Sequence, residues 1–185
     1  MANAEPLPQR MTVAEFLEWS PGDDRRFELL DGRLVMMNPP KIPHLRAQDN
    51  VAGFLKRHLK PPCQVLQGVG VLLDERTDTF LEADIGVSCE TIRPKQAHFE
   101  QPRLIVEVLS PSTEMHDMGA KLRRYWDLPS VEEILLVSST ERVVRHWRRD
   151  GEEWRMRPVI GKGVVHLALV EADLDLDTIY EDVVF

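Results

Sequence analysis

The sequence predicts an α/β fold in which helices flank a mixed β-sheet. Three observations carry this. Helical patterns lie over 12–19, 44–60 and 117–127, and the segments between them read as strands. Three apolar strand-like runs fall between the second and third of these helices. A further run, Glu133 to Ser138, follows the third. A strand ending at Leu109, a helix and a strand from Glu133 make a right-handed crossover that leaves the two strands parallel. The order helix, three strands, helix, strand places helices on a mixed sheet.

The elements follow in order. Thr12-Val13-Ala14-Glu15 has the form of a capping box and opens a short helix through Trp19, ended by Pro21-Gly22. Phe27 to Leu30 and Arg33 to Met37 flank Asp31-Gly32 and form an N-terminal hairpin. His44 to Lys60 is a helix, with Leu45, Gln48, Ala52, Leu55 and Leu59 on one stripe. Pro61-Pro62 stops it. Strands follow at Gln64 to Leu73, with a bend expected at Gly68 or Gly70, at Ala83 to Ser88 and at Arg103 to Leu109. Ser110 to Thr113 is a loop, and a helix runs from about Asp117 to Asp127. After Glu133–Ser138 come a hairpin around Asp150-Gly151, a strand over Val164 to Leu169 and a turn at Asp177 to Tyr180.

With 185 residues, 43% hydrophobic and 29% charged, the chain has the composition of a globular protein with a real core. It reads as one domain, 1–185, with a core at about 12–138 and a β-rich C-terminal extension at 139–185. Cys63 and Cys89 are too few for a disulfide framework, and reduced thiols are expected. Met1 to Arg10 carries no apolar signal segment, and no stretch is long enough to span a bilayer, so a cytoplasmic location is expected. The net charge of −8 argues against a protein that coats nucleic acid non-specifically. It does not argue against a nucleic-acid enzyme, because clustered carboxylates are themselves acidic.

Glu107 is the residue that asks for an explanation. It stands inside Leu104-Ile105-Val106-Glu107-Val108-Leu109, a run that reads as a strand buried on both faces. An ionised carboxylate there costs several kcal/mol unless a cation or hydrogen bonds compensate it. Asp84 lies on the preceding strand, and a hairpin pairing could bring the two carboxylates together. Such a pair suits a bridging Mg²⁺ or Mn²⁺. Lys121, on the following helix, could reach the same cleft to orient or deprotonate a water, or to stabilise charge on a phosphate.

Acid, acid and lysine on an αβββαβ core resemble the PD-(D/E)xK nuclease superfamily, and within it the Uma-two family of restriction endonucleases. The matching pieces are Phe27 to Val35, Pro39-Pro40 followed by His44, Glu82-Ala83-Asp84-Ile85, Val106 to Thr113, and Asp117, Lys121 and Tyr125. They span about Thr12 to Val137. Ala83 stands where the superfamily has its proline, and Leu109 where it has its lysine, so the lysine is relocated to Lys121. The resemblance implies a restriction-endonuclease-like fold and Mg²⁺-dependent hydrolysis of DNA phosphodiesters. It implies that Asp84 and Glu107 ligate Mg²⁺ or Mn²⁺ with the Val108 carbonyl as third ligand. It also implies a further carboxylate from Glu28, and Lys121 serving the attacking water. His44, Arg123 and Arg124 are candidate nucleic-acid contacts, and cutting both strands of a duplex favours a homodimer.

Plainer readings stand beside these. Glu28 could be a hairpin residue on the wet face. Asp117 and Lys121 have the spacing of a surface helix pair. Tyr125 and Trp126 read as core. His116, His146 and His166 have no partner at metal-ligand spacing. A catalytically degenerate nuclease fold that binds or regulates, and a different phosphate-ester hydrolase, are the alternative functions.

Overall fold

The computed structural model describes residues 10–73, 77–110 and 117–185, with the backbone alone at 117 and 118. The loop expected at 111–113 and His116 lie outside the described residues. So does the side chain of Asp117, and with it the expected Asp117–Lys121 pair.

Thr12 caps α1 (Val13–Glu18) with both halves of the capping box: its Oγ1 accepts the Glu15 N–H at 3.3 Å, and the Glu15 carboxylate accepts the Thr12 N–H at 2.7 Å. The hairpin of β1 (Phe27–Leu30) and β2 (Arg33–Met36) turns through Asp31 and Gly32, both left-handed at φ 49° and 77°. That is the backbone a tight two-residue turn requires. Helix α2 (Ile42–His58) starts two residues before His44, because Pro43 fits the first turn, where its missing N–H costs nothing.

The sheet then builds from β3 (Gln64–Leu72), β4 (Phe80–Ser88), the two-residue β5 (His98–Phe99) and β6 (Pro102–Leu109). Helix α3 (Asp117–Trp126) crosses to β7 (Glu133–Ser138), which lies parallel to β6. The hairpin of β8 (Val143–Asp150) and β9 (Glu153–Ile160) extends it, giving the order β2-β1-β4-β6-β7-β8-β9 with β3 on β4 and β5 on β3. The expected strand over Val164 to Leu169 ends early. β10 (Val164–Leu167) passes into a 3₁₀ turn (Ala168–Val170), and β11 (Ala172–Asp175) pairs back on it before α4 (Leu176–Ile179).

Two apolar layers sandwich the sheet. On one side Ala47, Val51 and Leu55 of α2, with Val165, Leu174 and Ile179, pack on Val106, Leu135 and Val137. On the other, Leu122 and Tyr125 of α3 pack on Ile105, Leu109, Ile134 and Leu136. Strand β6 therefore alternates between layers, and its alternation puts Glu107 on the α3 side. Strand β4 does not alternate cleanly. Leu81 and Ala83 pack in the α3 layer, whereas Ile85 and Val87 pack in the α2 layer. The change of side falls at Asp84, opposite Gly68, where β3 takes φ +56°.

Cys63 and Cys89 extend the Gln64↔Ser88 pairing of β3 and β4 by one step and are joined as a disulfide. This corrects the expectation of reduced thiols. The strand register, which brings residues 26 apart in sequence side by side, is what the sequence reading lacked.

Candidate active site

The site is a gap in the sheet. β3 pairs along one edge of β4 for almost its whole length. The other edge is shared: β1 meets it at Phe80, and β6 from Ile85 to Ser88. Between these, among the described residues, no strand pairs with Leu81 to Asp84 on that edge. Backbone groups left open inside a protein need partners, and polar side chains supply them. Glu28 Oε1 accepts the Glu82 N–H at 2.8 Å, and Lys121 Nζ donates to the Glu82 carbonyl at 3.3 Å. Gln48 Nε2 donates to the Asp84 carbonyl at 2.7 Å. Asp84 Oδ2 in turn accepts the Val108 N–H at 2.7 Å, just past the last β4–β6 pair, Ile85↔Val106.

Asp84 thus reaches β6 beside Glu107. The charges of Glu28, Asp84 and Glu107 all act on one ammonium. Lys121 Nζ lies 2.5 Å from Glu28 Oε1 and 3.5 Å from Glu107 Oε1. Lys121 does point into the cleft, and it does so from the stripe it shares with Tyr125. The Tyr125 hydroxyl donates to Glu107 Oε1 at 2.5 Å. His44 Nε2 is 3.3 Å from Asp84 Oδ1.

The electrostatics follow from burial and from the charge count. Glu107 is 5% exposed. Burial, above all, pushes its pKa up to about 8; Lys121 opposes the rise, while Asp84 and Glu28 add to it. Burial works against the Lys121 ammonium, but Glu107 and Glu28 outweigh it and hold its pKa above the ordinary lysine value. Burial, then the charge of Glu107, raises Tyr125 well above an ordinary phenol, so the hydroxyl keeps its proton and donates.

The donor set suits a hard divalent cation. Among the described residues no three His, Cys, Asp or Glu side chains gather as a metal site by themselves. The groups that could hold one are two carboxylates, Asp84 and Glu107, and a main-chain oxygen. A strand residue turns its N–H and C=O to the same edge, so the Val108 carbonyl shares the edge on which its N–H meets Asp84. Few protein ligands with the rest from water is the usual coordination of Mg²⁺. Three carboxylates acting on one ammonium also leave negative charge that such a cation would balance.

The remaining candidates divide. Arg124 is held away from solvent, its guanidinium on Asp31 Oδ2 at 2.7 Å and on the Ala120 carbonyl at 2.9 Å. Arg123 is exposed. His146 is spent on Glu133 at 3.0 Å and His166 on Asp173 at 2.7 Å. Sequence reasoning did not assign Gln48 or Tyr125 to the site. Gln48 carried a signal, being an amide on the apolar stripe of α2.

A family model described as "Uma2: Putative restriction endonuclease" matches residues 13–178. Two relatives come from Synechocystis sp. "Uncharacterized protein slr1290" is 27% identical over 183 residues, covering 97% of this chain and 96% of that protein. "Uncharacterized protein sll1609" is 23% identical over 159 residues, covering 82% and 89%. Among solved structures, "a putative nuclease belonging to DUF820" from Anabaena variabilis superposes with a TM-score of 0.76 at 15% identity, over 94% of this chain and 99% of that one. That likeness shows the fold.

Proposed function

This chain belongs to the Uma2 family, and from that premise we propose that it is a Mg²⁺- or Mn²⁺-dependent endonuclease acting on DNA. One observation carries the reading most: Asp84 accepts the N–H of Val108, the neighbour of Glu107, and Lys121 lies between Glu107 and Glu28. Asp84, Glu107 and the Val108 carbonyl would hold the cation. When bound, it lowers the pKa of a water and neutralises charge on the scissile phosphate.

The chain's own groups do the rest. Lys121, kept protonated by its two carboxylate neighbours, stabilises negative charge as it builds on the phosphate. The same raised pKa argues against Lys121 as the base that deprotonates water. Glu28 anchors the ammonium and accepts the Glu82 N–H, so it shapes the site without occupying a ligand position. His44, beside Asp84, would meet a phosphate, and Arg123 is the exposed cation of α3. A homodimer would present two such sites to a duplex.

The test is cleavage of supercoiled plasmid and of single-stranded DNA with Mg²⁺, with Mn²⁺ and with EDTA. Metal-dependent products that vanish in Glu107→Ala support the reading. A folded chain that cuts neither substrate under any of these conditions overturns it.

A further inference from the structure

Tyr125 is buried completely, at 0% exposure, inside the apolar layer formed by Leu122, Leu128, Ile134 and Leu136. A phenol in such a place needs a partner for its hydroxyl. Here the partner is the carboxyl group of Glu107 on the neighbouring strand, whose Oε1 accepts the hydroxyl at 2.5 Å. Lys121 is one helical turn earlier on α3, and its ammonium lies nearest the same oxygen. Among the described residues, every bond to the Glu107 carboxylate falls on Oε1.

We propose that Tyr125 is a positioning residue: its hydroxyl fixes the Glu107 carboxylate on Oε1 and thereby reserves Oε2 for the divalent cation. This rests on the proposed function, because it concerns the same cation. Groups that hydrogen-bond a metal ligand orient it and tune it, and their loss typically weakens metal binding about 10- to 100-fold. Tyr125 meets that description by geometry. Its ring fills the core, and its one polar atom is spent on a candidate ligand. A tyrosine retained only for packing would not need that atom there.

The experiment is calorimetric titration of the full chain with Mn²⁺, comparing the parent, Tyr125→Phe and Leu122→Ala. Tyr125→Phe removes the hydroxyl and keeps the ring. Leu122→Ala damages the same apolar layer without touching Glu107. The expected result is a Kd about 10- to 100-fold weaker in Tyr125→Phe and unchanged in Leu122→Ala. Equal affinity in the parent and Tyr125→Phe overturns the proposal and leaves the metal-dependent reading intact. A parent chain that binds no Mn²⁺ overturns both. A measurement on the parent covers the case in which Tyr125→Phe does not fold. The buried hydroxyl proton of Tyr125, told from that of Tyr180 by a Tyr180→Phe chain, should shift in its NMR resonance as Mg²⁺ is added. A resonance that stays still while Mg²⁺ binds overturns the proposal.

Discussion

Glu28 and Lys121 lie 93 positions apart in sequence and meet at 2.5 Å across the gap in the sheet, where Glu28 also accepts the backbone N–H of Glu82. The contact joins the N-terminal hairpin to α3. It also explains why a carboxylate on a short hairpin strand is 7% exposed rather than facing water.

Lys121 is the cation among three carboxylates, so its loss should be felt before any chemistry is assayed. Removing one partner of a buried pair typically costs about 3–5 kcal/mol, because it leaves charge uncompensated. Lys121→Ala should lose stability on that scale in EDTA, measured by urea unfolding. Mn²⁺ should restore part of it by supplying positive charge. DNA cleavage should fall by orders of magnitude, while Mn²⁺ affinity changes little, an ammonium being no ligand. Cleavage at the parent rate would remove Lys121 from the mechanism.

Glu107 sets a pH dependence. Its folded pKa of about 8 is above its ordinary value of 4.5, so between these the folded chain holds a proton that the unfolded chain has released. Stability in EDTA should therefore be highest below about 4.5, as far as this group is concerned, and be lost as pH rises through 8. Glu107→Gln should remove that slope, leave the fold intact or stabilise it, and abolish Mn²⁺ binding. Parent and variant melting curves that run parallel from pH 5 to 9 would contradict the assignment.

Glu133 supplies a contrast on the other side of the sheet. It is 1% exposed, and its carboxylate accepts from His146 at 3.0 Å and from the N–H groups of Ala168 and Leu169 at 3.2 and 3.1 Å. Burial opposes its ionisation, and these bonds outweigh burial and lower its pKa. The stability it contributes is present above the ordinary carboxylate pKa and is lost as pH falls through the lowered one. Glu133→Ala should destabilise by about 3–5 kcal/mol in urea at neutral pH without changing Mn²⁺ affinity. Loss of Mn²⁺ binding in that variant would tie the C-terminal ribbon to the site.

Much of this was legible in the chain. Glu107 declared itself as a charge within an apolar run, and the Asp117, Lys121, Tyr125 spacing placed the lysine on the stripe that faces it. The crossover from β6 to β7 followed from the element order. The gap did not, because it arises where β1 and β6 share one edge of β4, and strand pairing over such separations leaves no local signal. For the same reason the Cys63–Cys89 bond and the role of Glu28 were out of reach. Tyr125 was read as core, which its ring is; its hydroxyl's partner required the register of β6 against α3. The two-residue β5 is too short to show a period, and β11 was merged into the tail.

Whether Asp84 and Glu107 hold a divalent cation can be seen by anomalous diffraction from crystals soaked in Mn²⁺. One strong peak is expected within coordination distance of the Asp84 and Glu107 carboxylates and the Val108 carbonyl, absent in Glu107→Gln crystals. No peak at saturating Mn²⁺, or a peak only at residues away from the gap, would contradict it.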